Sequence, residues 1–355
     1  MPSTVALPPT PQPSFRPAKP WLPKRIFFTA DALEQPFGQQ LLSRMQGLGL
    51  DVTELPGNRL PSLRGKDERE TYRLAKGTLA VVNAPPSMMK LQPIPPSADW
   101  QFHLAKGCPA HCQYCYLAGS LAGPPVTRVY ANLPEVLASL KAYEKPGQLT
   151  TFEASCYTDP LSLEHLTGSL SECVRYFGTR KNAQLRWVSK FSAVEPLLGL
   201  PHGGRTRARV SVNAESVSQR LEGGTASVSA RVAGLRQLAA AGYPVGLVVA
   251  PIMPLPGWQG HYTDLFDRLE AALDLPCDLT FELISHRFTP GSKEVLEGWY
   301  PNSSLDMNET DRSVKRNKFG GLKYVYSKGV MAQLRDFFET EIAVRFPAAR
   351  TLYWT

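Results

Sequence analysis

Residues 206–251 read TRARVSVN-AESVSQRLEGGTA-SVSARVAGLRQLAAA-G-YPVGLVVAP, and this stretch decides the fold. A strand-like run (Thr206–Asn213) leads to an amphipathic helical stretch (Ser227–Ala241). Gly242 stops that helix, and a second apolar run (Tyr243–Pro251) follows. Strands that alternate with helices pair in parallel through right-handed crossovers. The rhythm extends in both directions, with further strands predicted at Trp100–Lys106, Leu149–Ser155, Gln184–Lys190 and Asp278–Ser285. Helices fall between them, one spanning Leu161–Phe177. About six such units predict an α/β fold, a partial (β/α)₆ TIM-like barrel open on one side, over residues 97–290. Residues 1–24 hold eight of the 32 prolines and read as a disordered tail. Residues 25–96 read as a small N-terminal α/β domain that ends in the proline-rich stretch Pro93–Pro96. Residues 291–355 read as a C-terminal β-hairpin followed by a closing helix, about Lys328–Arg345.

Chemistry in parallel α/β sheets sits at the carboxyl ends of the strands. Those ends carry Cys108, Cys156, Lys190, Asn213, Pro251 and His286, so a cysteine cluster and a lone cysteine are expected on one face. The chain of 355 residues has 43% apolar and 20% charged residues, a soluble globular composition. No apolar run approaches the ~20 residues of a membrane span, and no secretion signal is read, so the cytoplasm is the expected compartment. Six cysteines are too few for a disulfide scaffold in a chain of this length. The net charge of +8 favours polyanionic partners.

The segment Gly107-Cys108-Pro-Ala-His111-Cys112-Gln-Tyr114-Cys115-Tyr116 has the spacing C-x₃-C-x₂-C on a loop between a strand and a helix. Three thiolates wrap three corners of a [4Fe–4S] cubane and leave one iron open, whereas an electron-transfer cluster takes four. In radical S-adenosylmethionine (SAM) chemistry the open iron is chelated by the amino and carboxylate groups of SAM. Electron transfer then yields a 5′-deoxyadenosyl radical. The competing reading is a structural zinc site with His111 or His103 as fourth ligand, but no second ligand pair follows at zinc-site spacing.

From about Arg25 to Thr355 the chain resembles the spore photoproduct lyases. The landmarks are the cysteine loop through Leu117, Phe152-Glu153-Ala154-Ser155-Cys156, Val249-Ala250-Pro251-Ile252, and Phe281-Glu282-Leu283-Ile284-x-His286-Arg287-Phe288-Thr289. The resemblance implies light-independent repair of 5-thyminyl-5,6-dihydrothymine, a UV lesion joining adjacent thymines in DNA. The deoxyadenosyl radical would take hydrogen from C6 of the lesion, and the bridge between the bases would break by β-scission. Cys156 would then give a hydrogen atom to the thymine methyl radical, and Tyr114 and Tyr116 would pass hydrogen back towards SAM. Lys190, Ser211 and Ala250 match family positions near SAM. Thr158, just past Cys156, and Asn213, at a strand end, complete the expected cofactor set. An electron donor of the flavodoxin or ferredoxin type is expected as a partner, alongside UV-damaged DNA.

Residues 311–326, DRSVKRNKFGGLKYVY, combine five basic side chains and one acid with interleaved aromatics, turning at Gly320-Gly321. Such a hairpin suits an extruded dinucleotide, and Arg316, Lys318, Phe319, Lys323 and Tyr324 are its expected DNA contacts. The family's Trp-Gly-Arg-Tyr-Gly stretch reads Arg316-Asn317-Lys318-Phe319-Gly320 here. Tyr157 also stands where the family has a small hydroxyl residue. These departures leave the radical residues intact and keep a second reading open, a related enzyme acting on another pyrimidine lesion or modified base.

Overall fold

The computed structural model describes residues 20–120, 123–154, 156–316 and 320–355. Most of residues 1–24, where the disordered tail was expected, therefore lies outside the described residues.

An open sheet of eight strands forms the main body. Seven run parallel: Ala98–Phe102, Thr150–Ala154, Ala183–Ser189, Thr206–Val212, Val245–Ile252, Leu279–Ser285 and Arg350–Trp354. Gln92–Ile94 joins the first of them antiparallel and forms the other edge. The six expected strands are present, and Arg350–Trp354 adds one after the long helix Lys328–Arg345, so a hairpin plus helix does not complete the C-terminal part. Two other expectations are corrected. The first strand stops at Phe102, and Ala105–Lys106 turns away to pair antiparallel with Thr127–Tyr130 in another sheet. The helix expected over Leu161–Phe177 is broken at Gly168, whose φ is +64°. The Glu164 carboxylate crosses that break to accept bonds from the Leu170 and Ser171 amides, capping the second segment.

The second sheet has five strands in the order Thr53–Glu54, Arg25–Phe28, Thr78–Val82, Thr127–Tyr130, Ala105–Lys106. It thus draws strands from both sides of Pro96, and the cysteine loop leaves it directly after Lys106.

Alternation along Thr206–Val212 explains how the barrel is built. Ala208, Val210 and Val212 lie on one face of the strand, and helix Val228–Ala240 packs against this strand. Arg207, Arg209 and Ser211 fall on the other face. Arg209 is 2% exposed; it meets Glu282 at 2.7 Å and also pairs with Glu153. Arg186 reaches the same Glu282, across the two strands that separate theirs in the sheet. Side chains that far apart along a sheet meet only if it curls, so this buried layer of two guanidinium and two carboxylate groups reports the barrel's curvature. Tyr353, on the added last strand, donates to Glu282 at 2.6 Å and completes the layer.

Candidate active site at the carboxyl ends of the strands

The cysteine loop starts at Gly107, whose φ of +87° is open to glycine. A Cβ there would also stand 2.4 Å from the Val126 carbonyl oxygen. The Gly107 amide donates to the Tyr157 carbonyl at 2.8 Å, which ties the cysteine loop to the turn bearing Cys156. Further on, His111–Cys112 pairs antiparallel with Glu222–Gly223, so the loop gains a two-residue ribbon of its own. The Lys76 ammonium, buried and supplied by helix Glu68–Lys76, donates to the carbonyls of Cys108 and Ala110 from behind.

Cys108, Cys112 and Cys115 are free thiols. Burial pushes Cys108 up to about 12 and raises Cys112 and Cys115. The Lys76 charge opposes this at Cys108 and Cys115, and Lys190 does so at Cys112 and Cys115. Ionising one thiol raises the others, as expected of neighbouring sulfurs. Among the described residues no three His, Cys, Asp or Glu side chains gather as the ligands of a metal ion would. Sulfurs on three corners of a cubane bind three different irons and stand farther apart than ligands sharing one zinc. Two lysines near soft donors that must deprotonate to bind fit an anionic iron–sulfur cluster.

Lys190 is the hub of the face. Its ammonium donates to Ser211 Oγ at 2.7 Å, to Glu222 Oε1 at 3.0 Å and to the Ala250 carbonyl at 3.1 Å. Ser211 and Ala250, matched with Lys190 to family positions near SAM, thus meet it at one nitrogen. Burial alone would raise the Glu222 carboxyl, but Lys190 and Arg231, helped by the Tyr114 hydroxyl, hold it down to about 2. Arg231 is buried and lies 2.6 Å from the other Glu222 oxygen. Asn213 is buried and already engaged: it donates to the Pro251 carbonyl at 2.6 Å and accepts from the Tyr262 hydroxyl at 2.9 Å. Thr158 Oγ1, Gln113 Oε1 and Ser216 Oγ are buried without a protein partner. An unpaired buried polar atom costs about 1–3 kcal/mol, so such atoms suit a polar cofactor.

Cys156 follows the strand Thr150–Ala154. Burial, reinforced by the Glu153 carboxylate, pushes its thiol up, with Arg209 opposing, so it stays S–H at neutral pH. The Tyr116 ring is 60% exposed, and its hydroxyl donates to the Cys156 carbonyl. Tyr114 instead donates to Glu222, beneath the Lys190 ammonium at 5.5 Å. Tyr157 packs beside His103 at 4.9 Å and under Lys106 at 5.7 Å.

Beside the chain leaving strand Leu279–Ser285, Arg312–Arg316 and Leu322–Tyr326 form the expected hairpin. Lys318 and Phe319 lie outside the described residues. Arg316 is exposed and donates to the Gly320 carbonyl at 3.1 Å. Tyr324 stacks on Phe288 at 5.2 Å, and a mutual backbone bridge between these two residues docks the hairpin to the barrel. Arg312 secures the docking: its guanidinium lies 3.8 Å over Tyr326 and 5.5 Å from Phe288, and donates to the His286 carbonyl at 3.2 Å. Burial, together with that guanidinium, keeps His286 neutral, lowering it to about 3.

Lys76, Glu222, Arg231, Arg209 and Arg312 are the site residues that sequence reasoning missed. The first four are isolated charges with no motif around them, and only their burial marks them out; Arg312 lies within the basic segment 311–326, but nothing in the sequence singles it out from the other cations there.

A family model described as spore photoproduct lyase matches residues 21–355. The spore photoproduct lyase of a Geobacillus species is 39% identical, covering 95% of this chain and 100% of the relative. That of Bacillus subtilis is 38% identical over 95% and 99%. A solved spore photoproduct lyase complexed with dinucleoside spore photoproduct superposes with a TM-score of 0.91 at 38% identity, covering 95% and 100%. A mutant of that kind, with bound AdoMet and the dinucleoside lesion, gives 0.90 with the same identity and coverage. With likeness in sequence and in fold both running nearly end to end, the chain belongs to the spore photoproduct lyase family.

Proposed function

We propose that this protein is a DNA-repair lyase that returns 5-thyminyl-5,6-dihydrothymine to two thymines. Cys108, Cys112 and Cys115 would hold a [4Fe–4S] cluster, and Lys190, Ser211, Ala250, Asn213 and Thr158 would surround SAM. Bound there, cluster and SAM supply a 5′-deoxyadenosyl radical able to take hydrogen from C6 of the lesion.

The observation that carries this reading is the tether between the cysteine loop and the Cys156 turn, Gly107 to Tyr157 at 2.8 Å, with the Tyr116 hydroxyl on the Cys156 carbonyl. A sulfur kept in its S–H form beside the cysteine loop is placed to quench a carbon radical. Cys156 would give its hydrogen atom to the thymine methyl radical and become a thiyl; Tyr116 would return a hydrogen atom to the sulfur, and the tyrosyl radical so formed, relayed with Tyr114, would be quenched by a hydrogen atom from 5′-deoxyadenosine on the way back to SAM. Glu222, shared with Arg231, fixes where the Lys190 ammonium points and leaves the trio with a net positive charge suited to a carboxylate-bearing cofactor. Arg316, Lys318, Phe319, Lys323 and Tyr324 would grip the damaged strand.

No helix among the described residues is long and apolar enough to cross a membrane. The reading places the enzyme in the reducing cytoplasm, with an electron donor of the flavodoxin or ferredoxin type.

The test is anaerobic. Reconstituted, reduced protein is mixed with SAM and a lesion-bearing dinucleotide, and thymidylyl-thymidine is followed by chromatography. SAM-dependent appearance of that product is expected; 5′-deoxyadenosine alone would point to another lesion. Cys156→Ala should still cleave SAM but give misquenched thymine products, and clean repair by that variant would overturn the donor assignment.

A further inference from the structure

Phe288 and Tyr324 pair as an antiparallel bridge, which makes the exit of strand Leu279–Ser285 a third strand beside the hairpin. Alternation then sorts the side chains of this three-stranded patch. Phe288, Tyr324 and Arg312 occupy one face, as their ring stack and cation–π contacts show. Arg287 falls on the opposite face, where Lys323 lies diagonally across from it. Lys315 shares that face directly opposite Lys323 in the hairpin register. Like charges directly opposite one another destabilise a strand pair.

These three cations have no acid among them. Among the described residues none of the three side chains makes an ion pair or hydrogen bond. Burial lowers Lys323, and the charges of Arg287 and Lys315 lower it further. Arg287 is exposed, so its guanidinium is open to a ligand from solvent. Three unpaired cations held together on one face beside the carboxyl end of a barrel strand gain most from a ligand carrying compact negative charge.

We propose that Arg287 is a phosphate ligand, seating with Lys315 and Lys323 a phosphodiester of the damaged strand. This rests on the lyase reading above. A guanidinium suits the task because its fork meets two phosphate oxygens at once, which an ammonium cannot do. It also assigns a division of labour: the interior recognises the joined bases, and Arg287 recognises the strand that carries them.

A dinucleoside lesion has no linking phosphate, so it separates the two contributions. Binding of a lesion-bearing single-stranded oligonucleotide, measured by fluorescence anisotropy across a salt series, is compared with binding of the dinucleoside lesion by calorimetry, using the full chain. Arg287→Gln should weaken oligonucleotide binding about tenfold. It should flatten the slope of log K against log salt by about one, and cost the dinucleoside less than about twofold. Arg287→Lys should keep the wild-type slope while losing part of the affinity. Equal losses on both ligands, or an unchanged slope in Arg287→Gln, would overturn the assignment. If wild-type protein shows no preference for lesion over undamaged oligonucleotide, the lyase reading fails instead. The slope difference can still be measured on undamaged DNA, and still decides the phosphate seat.

Discussion

Arg209 lies between two carboxylates inside the barrel and is almost wholly shielded from solvent, whereas Arg287 is exposed with no acid beside it. The same contrast holds around each. Lys190 has Glu222, and Glu222 has Arg231; Lys323 has only Arg287 and Lys315. An interior charge must be neutralised during folding, because nothing else will enter to do it. An exposed charge can be left for the substrate to neutralise. The difference separates the part of the molecule that holds geometry from the part that waits for a polyanion.

The largest test of this contrast is Arg209→Ala. It leaves Glu153 and Glu282 buried with Arg186 as their remaining guanidinium, and should cost about 3–5 kcal/mol in urea denaturation. A loss below about 1 kcal/mol would mean the layer is wetter than its burial indicates.

A pH titration sharpens the same point. Burial favours the neutral Glu282 carboxyl, but Arg209 and Arg186 outweigh it and hold its pKa below the ordinary carboxylate value of 4.5. The group therefore adds stability that is fully present above that value and is lost as pH falls through the lowered one. The urea midpoint of the wild type should hold down to about pH 4.5 and drop steeply below it, and that of Arg209→Met should drop less. Parallel profiles would remove Glu282 from the account.

The smallest expected effect is at the docking point. Arg312→Ala removes one cation from two ring faces and should cost only about 1 kcal/mol. Hydrogen exchange at the bridged Phe288 and Tyr324 amides should quicken while the rest of the barrel keeps its protection. If exchange were unchanged, the Phe288–Tyr324 stack alone would be holding the hairpin.

The barrel was legible because its signals are local. Thr206–Asn213 and Tyr243–Pro251 carry their own apolar periodicity, and Gly242 ends the helix between them. The cysteine loop was legible for the same reason, since C-x₃-C-x₂-C is complete within eight residues. What stayed hidden depends on distance along the chain. Arg350–Trp354 is short and largely exposed on one edge, and becomes a strand only because Leu279–Ser285 offers a free edge. Lys76 meets the cysteine loop from the end of a helix 32 residues earlier, and Glu222 meets Lys190 from a ribbon that Cys112 itself helps to make. The break at Gly168 was hidden by an apolar pattern that continues on both sides of it.

The edge strand Arg350–Trp354 also fixes when the sheet can be completed during synthesis. Glu282 receives the Tyr353 hydroxyl 71 positions later in the chain. On the ribosome, then, strand Leu279–Ser285 emerges long before its outer neighbour exists. Until residue 354 clears the exit tunnel, the nascent sheet presents an unpaired edge above a partly neutralised charge layer. Such an edge invites pairing with other chains, so a trigger-factor-like chaperone that shields it should raise the yield of folded enzyme more than one acting on the N-terminal sheet.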